Sequence, residues 1–132
     1  MLTLTLPYPP TVNTYWRHPS RGKLAGRHLI SDKGRRYRET VHALLPRIEA
    51  LRGRLHVEIW LSPPDKRRRD LDNTLKSLLD AIGYAGIWQD DSQIDRLIVD
   101  RQEPVKGGSV QVMIRNASPL TLRELSALGE SA

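Results

Sequence analysis

The sequence predicts an α/β (α+β) fold in which helices pack on one small mixed sheet. Apolar and polar residues alternate over residues 2–6 and 55–61, as they do in half-buried strands. Apolar residues recur at helical spacing over residues 32–51 and 70–82. Two further strand-like segments follow. The predicted order is therefore β-α-β-α-β-β, with a short C-terminal helix added at the end.

The first half of the chain begins with a strand that ends at a run of prolines. Residues 11–30 have no clean period and are rich in Arg, His, Gly and Ser. This predicts a long basic loop with a short strand near residues 27–30. Ser31 is placed to cap the helix over residues 32–51, and Pro46 predicts a kink or break inside that helix.

The strand over residues 55–61 is followed by Pro63-Pro64, which end it. The second helix is predicted over residues 70–82, because its leucines and isoleucine form one apolar stripe. Gly83 and Gly86 are predicted to stop it at its C-terminal end.

The last elements are two strands and a terminal helix. Residues 94–101 predict a strand, and residues 104–108 predict a turn after it. Residues 110–114 predict the second arm of a hairpin that starts at this turn. Residues 119–128 predict the short terminal helix.

The composition is that of one folded domain of 132 residues. The chain contains no Cys, which excludes disulfides, thiolate catalysis and Cys-based zinc sites. No apolar run approaches the roughly 20 residues that span a bilayer, and the N-terminus lacks the pattern of a signal peptide. We therefore expect a cytoplasmic protein that does not contact a membrane.

The charge is uneven along the chain, whose net charge is +6. Residues 1–69 hold 15 Lys and Arg against 5 Asp and Glu, whereas residues 70–132 hold 6 against 10. A basic half suits a polyanion such as nucleic acid. Many small proteins are basic without binding one, so charge alone leaves both interpretations open.

Two carboxylates stand close together at the predicted start of the second helix. Asp70 and Asp72 flank Leu71. Acids at a helix start commonly cap free backbone N–H groups or compensate the helix dipole. Mg²⁺ also prefers hard oxygen ligands and usually takes one or two carboxylates. At this point the pair predicts either a helix cap or a metal site.

Basic residues surround these two acids. Arg67, Arg68 and Arg69 precede them, and arginine binds phosphate through bidentate hydrogen bonds. These arginines could equally pair with nearby acids. Lys76 follows Asp72 by one helical turn, where it would either pair with Asp72 or contact a phosphate.

Asp90-Asp91 lie in the loop that follows the second helix. Two adjacent acids in a loop are commonly solvated surface residues. A return loop can also bring Asp91 alongside the helix start, where it would complete a site with Asp70 and Asp72, and this is the arrangement we expect. Carboxylates held so close raise at least one pKa unless a cation is bound. The chemistry that fits is hydrolysis, with a metal activating water. The number of metal ions stays open.

Two further positions are candidate phosphate contacts. Arg17 lies in the basic loop next to Tyr15 and Trp16, and an aromatic ring there could stack on an unpaired base. Lys106 begins Lys106-Gly107-Gly108, most simply a turn, from which a lysine could reach a phosphate.

Together these residues resemble the RusA family of Holliday-junction resolvases, small endodeoxyribonucleases that prophages often carry. The resemblance spans roughly residues 4–115, within one RusA-like domain over residues 1–132, and leaves the tail over residues 116–132 outside it. It depends on Arg68-Arg69-Asp70-Leu71-Asp72-Asn73, Lys76, Asp80-Ala81, Trp88-Gln89-Asp90-Asp91-Ser92-Gln93-Ile94, Leu6-Pro7-Tyr8-Pro9-Pro10, Asn13, Tyr37-Arg38 and Lys106-Gly107-Gly108.

The resemblance implies a homodimer that nicks four-way DNA junctions in pairs, in DNA recombination and repair. It implies dependence on Mg²⁺, for which we expect Mn²⁺ to substitute. It also implies that Asp70, Asp72 and Asp91 bind the metal and that Lys76 aids catalysis. We expect DNA contacts from Arg67, Arg68, Arg69, Asn73, Lys76, Arg17 and Lys106.

Two rival functions remain compatible with the sequence. The first is a non-catalytic basic DNA-binding module, in which the acids are caps and surface residues. The second is a metal-dependent enzyme that acts on RNA or on a small phosphate ester. Replacing the acids separates the first rival from a nuclease, and comparing substrates separates the second.

Overall fold

The structure, a computed structural model, describes residues 1–117. The terminal helix expected over residues 119–128 lies outside the described residues. The strands are β1 (Leu2–Leu6), β2 (Trp16–Arg17), β3 (Leu29–Ile30), β4 (Leu55–Ser62), β5 (Ile94–Arg101) and β6 (Ser109–Asn116). The helices are α1 (Val12–Tyr15), α2 (Asp32–Leu44) and α3 (Leu75–Tyr84), with 3₁₀ helices at Leu71–Thr74 and Asp91–Gln93.

The larger sheet has four strands in the order β1-β6-β4-β5. β4 and β5 run parallel, whereas β6 is antiparallel to both β1 and β4. This confirms the predicted mixed α/β architecture. The predicted hairpin is wrong, because β6 pairs with β1 and β4 instead of with β5.

The helix between β4 and β5 explains this difference. A parallel pair needs a crossover, and α3 supplies it. After β5 the backbone N–H of Gln102 donates to Leu61 O at 2.7 Å, and that of Val105 donates to Pro63 O at 2.9 Å. These bonds lead the chain across the end of β4 before β6 begins. Alternation predicts a half-buried strand but does not identify its partner.

The core lies on the sheet face that α2 and α3 cover. One row crosses the whole sheet, since Leu4 pairs with Val112, Val112 with Ile59, and Ile59 with Val99. The first three of these side chains are at most 4% exposed. Burial of one such side chain stabilises the fold by about 1.5–3 kcal/mol. No helix within residues 1–117 is both long enough and apolar enough to cross a membrane.

The segment predicted as a long basic loop is partly ordered into short elements. α1 and β2 follow each other directly, and Trp16 of β2 pairs with Ile30 of β3. Ser31 Oγ accepts the backbone N–H of Gly34 at 3.0 Å, which confirms the predicted cap of α2. The strand near residues 27–30 is present as the two residues of β3.

The first long helix is shorter than predicted, because α2 ends at Leu44 and does not continue to residue 51. Leu45 has extended backbone angles, φ −87° and ψ 150°. A residue before proline is pushed out of the helical region, and Pro46 follows it. Of the two outcomes expected at Pro46, the structure has the break.

The second long helix also differs from its predicted range at both ends. It opens with the 3₁₀ helix Leu71–Thr74 and continues to Tyr84. Leu71 is 37% exposed, so it does not belong to the buried stripe. Gly83 lies inside the helix, and the predicted stop is made by Gly86, whose φ of +87° suits glycine.

Candidate active site

The chain leaves the carboxyl end of β4 through an arginine-rich segment, residues 63–70. A cavity of about 380 Å³ lies beside this segment. Its lining includes Asp65, Arg67, Arg68, Arg69, Asp70 and Arg101. The three predicted arginines and one predicted acid therefore share a cavity at this end of the sheet, which we call the arginine end.

Asp65 forms ion pairs with two of the three predicted arginines. Arg69 Nη1 lies 2.7 Å from Asp65 Oδ1, and Arg67 Nε lies 3.2 Å from Asp65 Oδ2. The hydrogen bond from Arg69, followed by that from the Arg67 backbone N–H, lowers the pKa of Asp65 to about 2. Arg68 has no carboxylate partner among residues 1–117. The pairing of arginines with nearby acids therefore occurs, but leaves Arg68 exposed and unengaged.

Asp70 and Asp72 stand at the exposed start of the 3₁₀ helix. Asp70 occupies the capping position with an extended backbone, yet its side chain makes no capping hydrogen bond. Neither carboxylate accepts a hydrogen bond from any described residue. The cap interpretation therefore does not account for Asp70, and both carboxylates are available to a ligand.

Asn73 and Lys76 follow on the same helical segment, and both are exposed. Lys76 lies in the first turn of α3, after the change from 3₁₀ to α geometry. In the described part of the chain no ion pair joins Lys76 to Asp72. Of the two alternatives predicted for Lys76, the ion pair with Asp72 is not formed, and the Lys76 ammonium faces solvent.

Asp91 is held at the other end of α3. The indole N–H of Trp88 donates to Asp91 Oδ1 at 2.7 Å, and Trp88 is 1% exposed. Gly83, in the last turn of α3, makes room for both groups. A Cβ at Gly83 would lie 3.0 Å from Trp88 Nε1 and 3.4 Å from Asp91 Oδ1.

The pKa of Asp91 is raised above its ordinary value. Burial is the largest cause, and the charges of Asp80 and Asp90 add to it. The hydrogen bond from Trp88 opposes the rise, since it stabilises the charged form. The expected repulsion between carboxylates is therefore present, but it comes from Asp80 and Asp90 and involves neither Asp70 nor Asp72.

Arg38 and Asp80 form an ion pair beside Asp91 that the sequence did not predict as part of the site. Arg38 Nε lies 2.8 Å from Asp80 Oδ2 and 2.9 Å from Tyr15 Oη. The Tyr15 hydroxyl also donates to Asp80 Oδ2, and burial followed by Asp80 raises the pKa of Tyr15. The tyrosine therefore remains a donor.

A second cavity, of about 260 Å³, opens between α2 and the loop after α3. Three acids and one arginine contribute its charge, namely Asp80, Asp90, Asp91 and Arg38. We call this region the acidic end. Asp90 and Asp91 were singled out from the sequence, whereas the only sequence signal for the ion pair was the presence of Arg38 and Asp80 in the resembling motifs, since long-range pairs between two helices leave no local pattern.

The two ends are far apart within one chain. From Asp72 to Gly83 the backbone rises by about 18 Å along the 3₁₀ helix and α3. Arg101 Nη2 donates to Arg69 O at 2.5 Å, which places the arginine end at the close of β5, whereas Asp91–Gln93 directly precedes β5. The eight residues of β5 span about 23 Å. The expectation that the return loop brings Asp91 alongside the helix start is therefore wrong for a single chain.

The described acids of a single subunit do not form a metal site with three ligands. Within residues 1–117 no group of three His, Asp or Glu side chains is arranged to hold one ion. Asp70 and Asp72 are two residues apart, so they remain a possible pair of oxygen ligands. Asp91 does not join them in the same subunit.

Arg17 and Lys106 lie outside both cavities. Arg17 is exposed in β2, where it pairs with Leu29. Lys106 is exposed in the turn before β6, and the two glycines that follow it have φ of +78° and +74°. The turn prediction for Lys106 is confirmed, and a phosphate contact stays a prediction for both residues.

The fold and these side chains define an α/β protein that presents basic and acidic clusters at opposite ends of one crossover helix. A family model described as "Endodeoxyribonuclease RusA" matches residues 7–115, which is most of the chain. The chain belongs to the RusA family of endodeoxyribonucleases.

Individual relatives agree with this assignment. The chain is 43% identical over 112 residues to the crossover junction endodeoxyribonuclease rusA of Enterobacteria phage HK97. This match covers 83% of this chain and 89% of that protein. It is 38% identical over 117 residues to the RusA protein of the same description from Shigella sonnei, and 37% identical to that from Escherichia coli K12. Both matches cover 85% of this chain and 92% of the relative.

Proposed function

We propose that this chain is a Mg²⁺-dependent endodeoxyribonuclease that resolves four-way (Holliday) DNA junctions by paired symmetric nicks, in DNA recombination and repair. The observation that carries the proposal is membership of the RusA family over residues 7–115, with relatives named crossover junction endodeoxyribonucleases at 37–43% identity. The matched range includes every acid and base assigned a role below. Residues 1–132 form one such domain in this proposal.

Asp70, Asp72 and Asp91 are the proposed metal ligands. Their chemistry suits Mg²⁺, and Mn²⁺ in its place, since both ions favour oxygen donors. The side chains of Asp70 and Asp72 accept no hydrogen bond in the described structure, and Asp91 uses only Oδ1, for Trp88. A bound divalent ion would supply positive charge for phosphodiester hydrolysis. One chain does not bring all three acids together.

The basic residues of the arginine end are the proposed DNA contacts. Lys76 faces solvent one helical turn beyond Asp72, a position from which it would contact the scissile phosphate or steady the leaving oxygen. Arg68 is free of carboxylate partners among the described residues, so it is the arginine most ready to bind phosphate. The remaining proposed contacts are Arg67, Arg69, Asn73, Arg17 and Lys106.

We propose a homodimer as the active form. A four-way junction has twofold symmetry, and a twofold protein presents one active site to each of two strands. A single subunit would nick the junction without resolving it. Paired nicking therefore requires two copies of the chain.

The test compares three labelled substrates: a four-way DNA junction, a linear duplex of the same sequence and a structured RNA. We expect cleavage of the junction with Mg²⁺ and none with a chelator. If the duplex or the RNA is cut as fast as the junction, branch specificity is wrong. If nothing is cut while the junction is bound, the chain is a DNA-binding module.

Variants of the three acids complete the test. Asp70→Asn, Asp72→Asn and Asp91→Asn should each abolish cleavage while junction binding is kept. Asp100→Asn is the matched control, because Asp100 is exposed on β5 and lines neither cavity. A ligand variant that cuts the junction at the wild-type rate would remove that residue from the site.

A further inference from the structure

A groove lies between the proline-rich segment that follows β1 and the first half of α2. Its volume is about 350 Å³, and its lining consists of residues 7–10 on one side and Lys33, Arg36, Tyr37 and Thr40 on the other. We call it the proline groove. The four α2 residues share one face, because residues three and four apart lie side by side on a helix. The Tyr37 hydroxyl donates to Pro7 O at 2.8 Å, so the two walls are fixed to each other.

The charge in the proline groove is entirely positive. Among the described residues that line it, Lys33 and Arg36 alone are charged. Both are exposed, and neither forms an ion pair with any of residues 1–117. Arg36 Nε makes one long bond, of 3.4 Å, to Asp32 O, which leaves its terminal nitrogens for a ligand. By contrast Arg35 lies 3.8 Å from the Asp32 carboxylate, and Arg38 is held at the acidic end. Two unpaired cations beside apolar walls suit a ligand that is anionic and also has apolar surface.

The proline groove is continuous with the arginine end, because Tyr8 lines both. The turn that carries Lys106 packs against this tyrosine. A Cβ at Gly108 would lie 2.7 Å from Tyr8 Cβ and 3.2 Å from Pro64 Cδ, so only glycine permits the approach. The backbone of the turn thereby fixes one side of Tyr8. A basic surface therefore extends from the arginine end, across Tyr8, to Lys33 and Arg36.

A DNA strand is the occupant that this surface fits. Each strand of a duplex carries one negative charge per about 3.4 Å of helix axis. The Cβ atoms of Lys33 and Arg36, three residues apart on a helix, are separated by about 5–6 Å, so two long side chains there can bind successive phosphates. The deoxyribose between phosphates offers apolar surface to Tyr8 and the prolines. Continuity with the arginine end favours DNA over an acidic protein segment, since a strand bound there has to leave along the surface.

We propose that the proline groove is a second phosphate-binding site, in which Lys33 and Arg36 bind the backbone of the DNA arm that leaves the arginine end. This inference rests on the proposed function, which places a DNA strand at the arginine end. Neither residue lines the cavity beside Asp70 or the cavity beside Asp91. Their role is therefore to position the arm, as contacts to phosphate and sugar do without reading sequence.

The salt dependence of junction binding tests the two cations. Binding is measured with a chelator present, so that it is separated from cleavage. Lys33→Gln and Arg36→Gln should each reduce the slope of log K against log salt by about 0.9 and weaken binding roughly eightfold at 100 mM salt. Arg35→Gln is the matched control, because it removes one exposed positive charge from the same helix at about 200° around the axis from Lys33. Equal slopes in all three variants would overturn the inference.

Cross-linking locates the strand directly. The chain contains no Cys, so a single introduced cysteine carries a photoreactive azidophenacyl label at a chosen position. Thr40→Cys places the label in the proline groove, whereas Arg35→Cys places it on the other side of α2. The label at position 40 should cross-link to nucleotides of one junction arm, and the label at position 35 should not. No cross-link from position 40, or equal yields from both positions, contradicts the inference.

These measurements separate the inference from the proposed function. If the wild-type chain cuts the junction while the Lys33 and Arg36 variants bind DNA as Arg35→Gln does, the inference fails and the proposed function stands. If the wild-type chain binds the junction without cutting it, the proposed function fails. In that case the salt slopes and the cross-links still decide whether the proline groove binds a DNA arm.

Discussion

Trp88 donates its indole N–H to Asp91 Oδ1 at 2.7 Å from a position that is 1% exposed. The donor belongs to the core, whereas the acceptor belongs to an exposed residue. Packing of the core therefore fixes one oxygen of a proposed catalytic carboxylate and leaves the second oxygen for a ligand. Preorganisation of this kind reduces the cost of ordering the group when substrate binds.

Trp88→Phe should shift the pH dependence of cleavage. The hydrogen bond from Trp88 stabilises charged Asp91, so its removal raises a pKa that burial and two acids already raise. Asp91 would then become ionised only at higher pH, and the acid limb of the pH–rate profile should move upward. Single-turnover cleavage from pH 5 to 9 measures the limb. Trp60→Phe, a half-buried control on β4, should leave it in place.

Gly83→Ala should reduce cleavage with little change in stability. Alanine favours the helix over glycine by about 0.5–1 kcal/mol, but its methyl group would crowd Trp88 Nε1 at 3.0 Å. Asp91 should therefore move from its position while the chain remains folded. Gly86→Ala is the matched control, because its φ of +87° makes alanine strained although no atom lies within 4 Å. We expect Gly86→Ala to lower the unfolding free energy by about 1 kcal/mol and to keep Asp91 in place.

The elements of the fold show which structural features a sequence can predict. β1 and β4 were predictable, because their alternation depends only on which face is buried. The cap of α2 was predictable from Ser31 alone, since capping is local. The partner of β6 was not, because a strand with the same alternation fits any neighbour in the sheet.

The candidate active site likewise has some features that the sequence predicts and others that it does not. Arg67 to Asp70 lie close in sequence, so their common cavity follows from chain connectivity. The position of Asp91 depends on the direction in which α3 returns the chain, and a helix carries it away from its own start. The pair formed by Arg38 and Asp80 joins two helices, and nothing in either segment predicts the other partner.

Asp65→Asn should strengthen DNA binding. Asp65 engages both Arg67 and Arg69, so its neutralisation frees two guanidinium groups for phosphates. Each additional phosphate contact steepens the salt dependence of log K by about 0.9. Junction affinity measured between 50 and 200 mM salt should therefore rise at low salt and show a steeper slope. An unchanged slope would mean that the freed arginines do not reach DNA.

The pKa of Asp65 gives this prediction an independent check. Carbon-detected NMR titration should find its pKa at about 2 in the wild-type chain. Arg69→Gln removes the largest cause of the lowering, so the value should rise towards the ordinary one. The carboxylate is depressed in the folded chain, so any stabilisation from it is present above the unfolded pKa and is lost as the pH falls towards 2.

Asp80→Asn should destabilise the fold and lower the pKa of Asp91. The side chains of Arg38 and Asp80 are 21% and 27% exposed, and loss of a charged hydrogen bond at such a site costs about 1–3 kcal/mol. The charge of Asp80 also raises the pKa of Asp91, so its removal should move the acid limb of the pH–rate profile of cleavage to lower pH, opposite to the effect of Trp88→Phe.

Urea unfolding of Asp80→Asn, Arg38→Met and the double variant measures the effect on stability separately from the effect on the pKa. The double variant should lose less stability than the sum of the single variants, because the second substitution removes a group that the first left unpaired. Strictly additive losses would show that the ion pair contributes nothing to the stability of the acidic end.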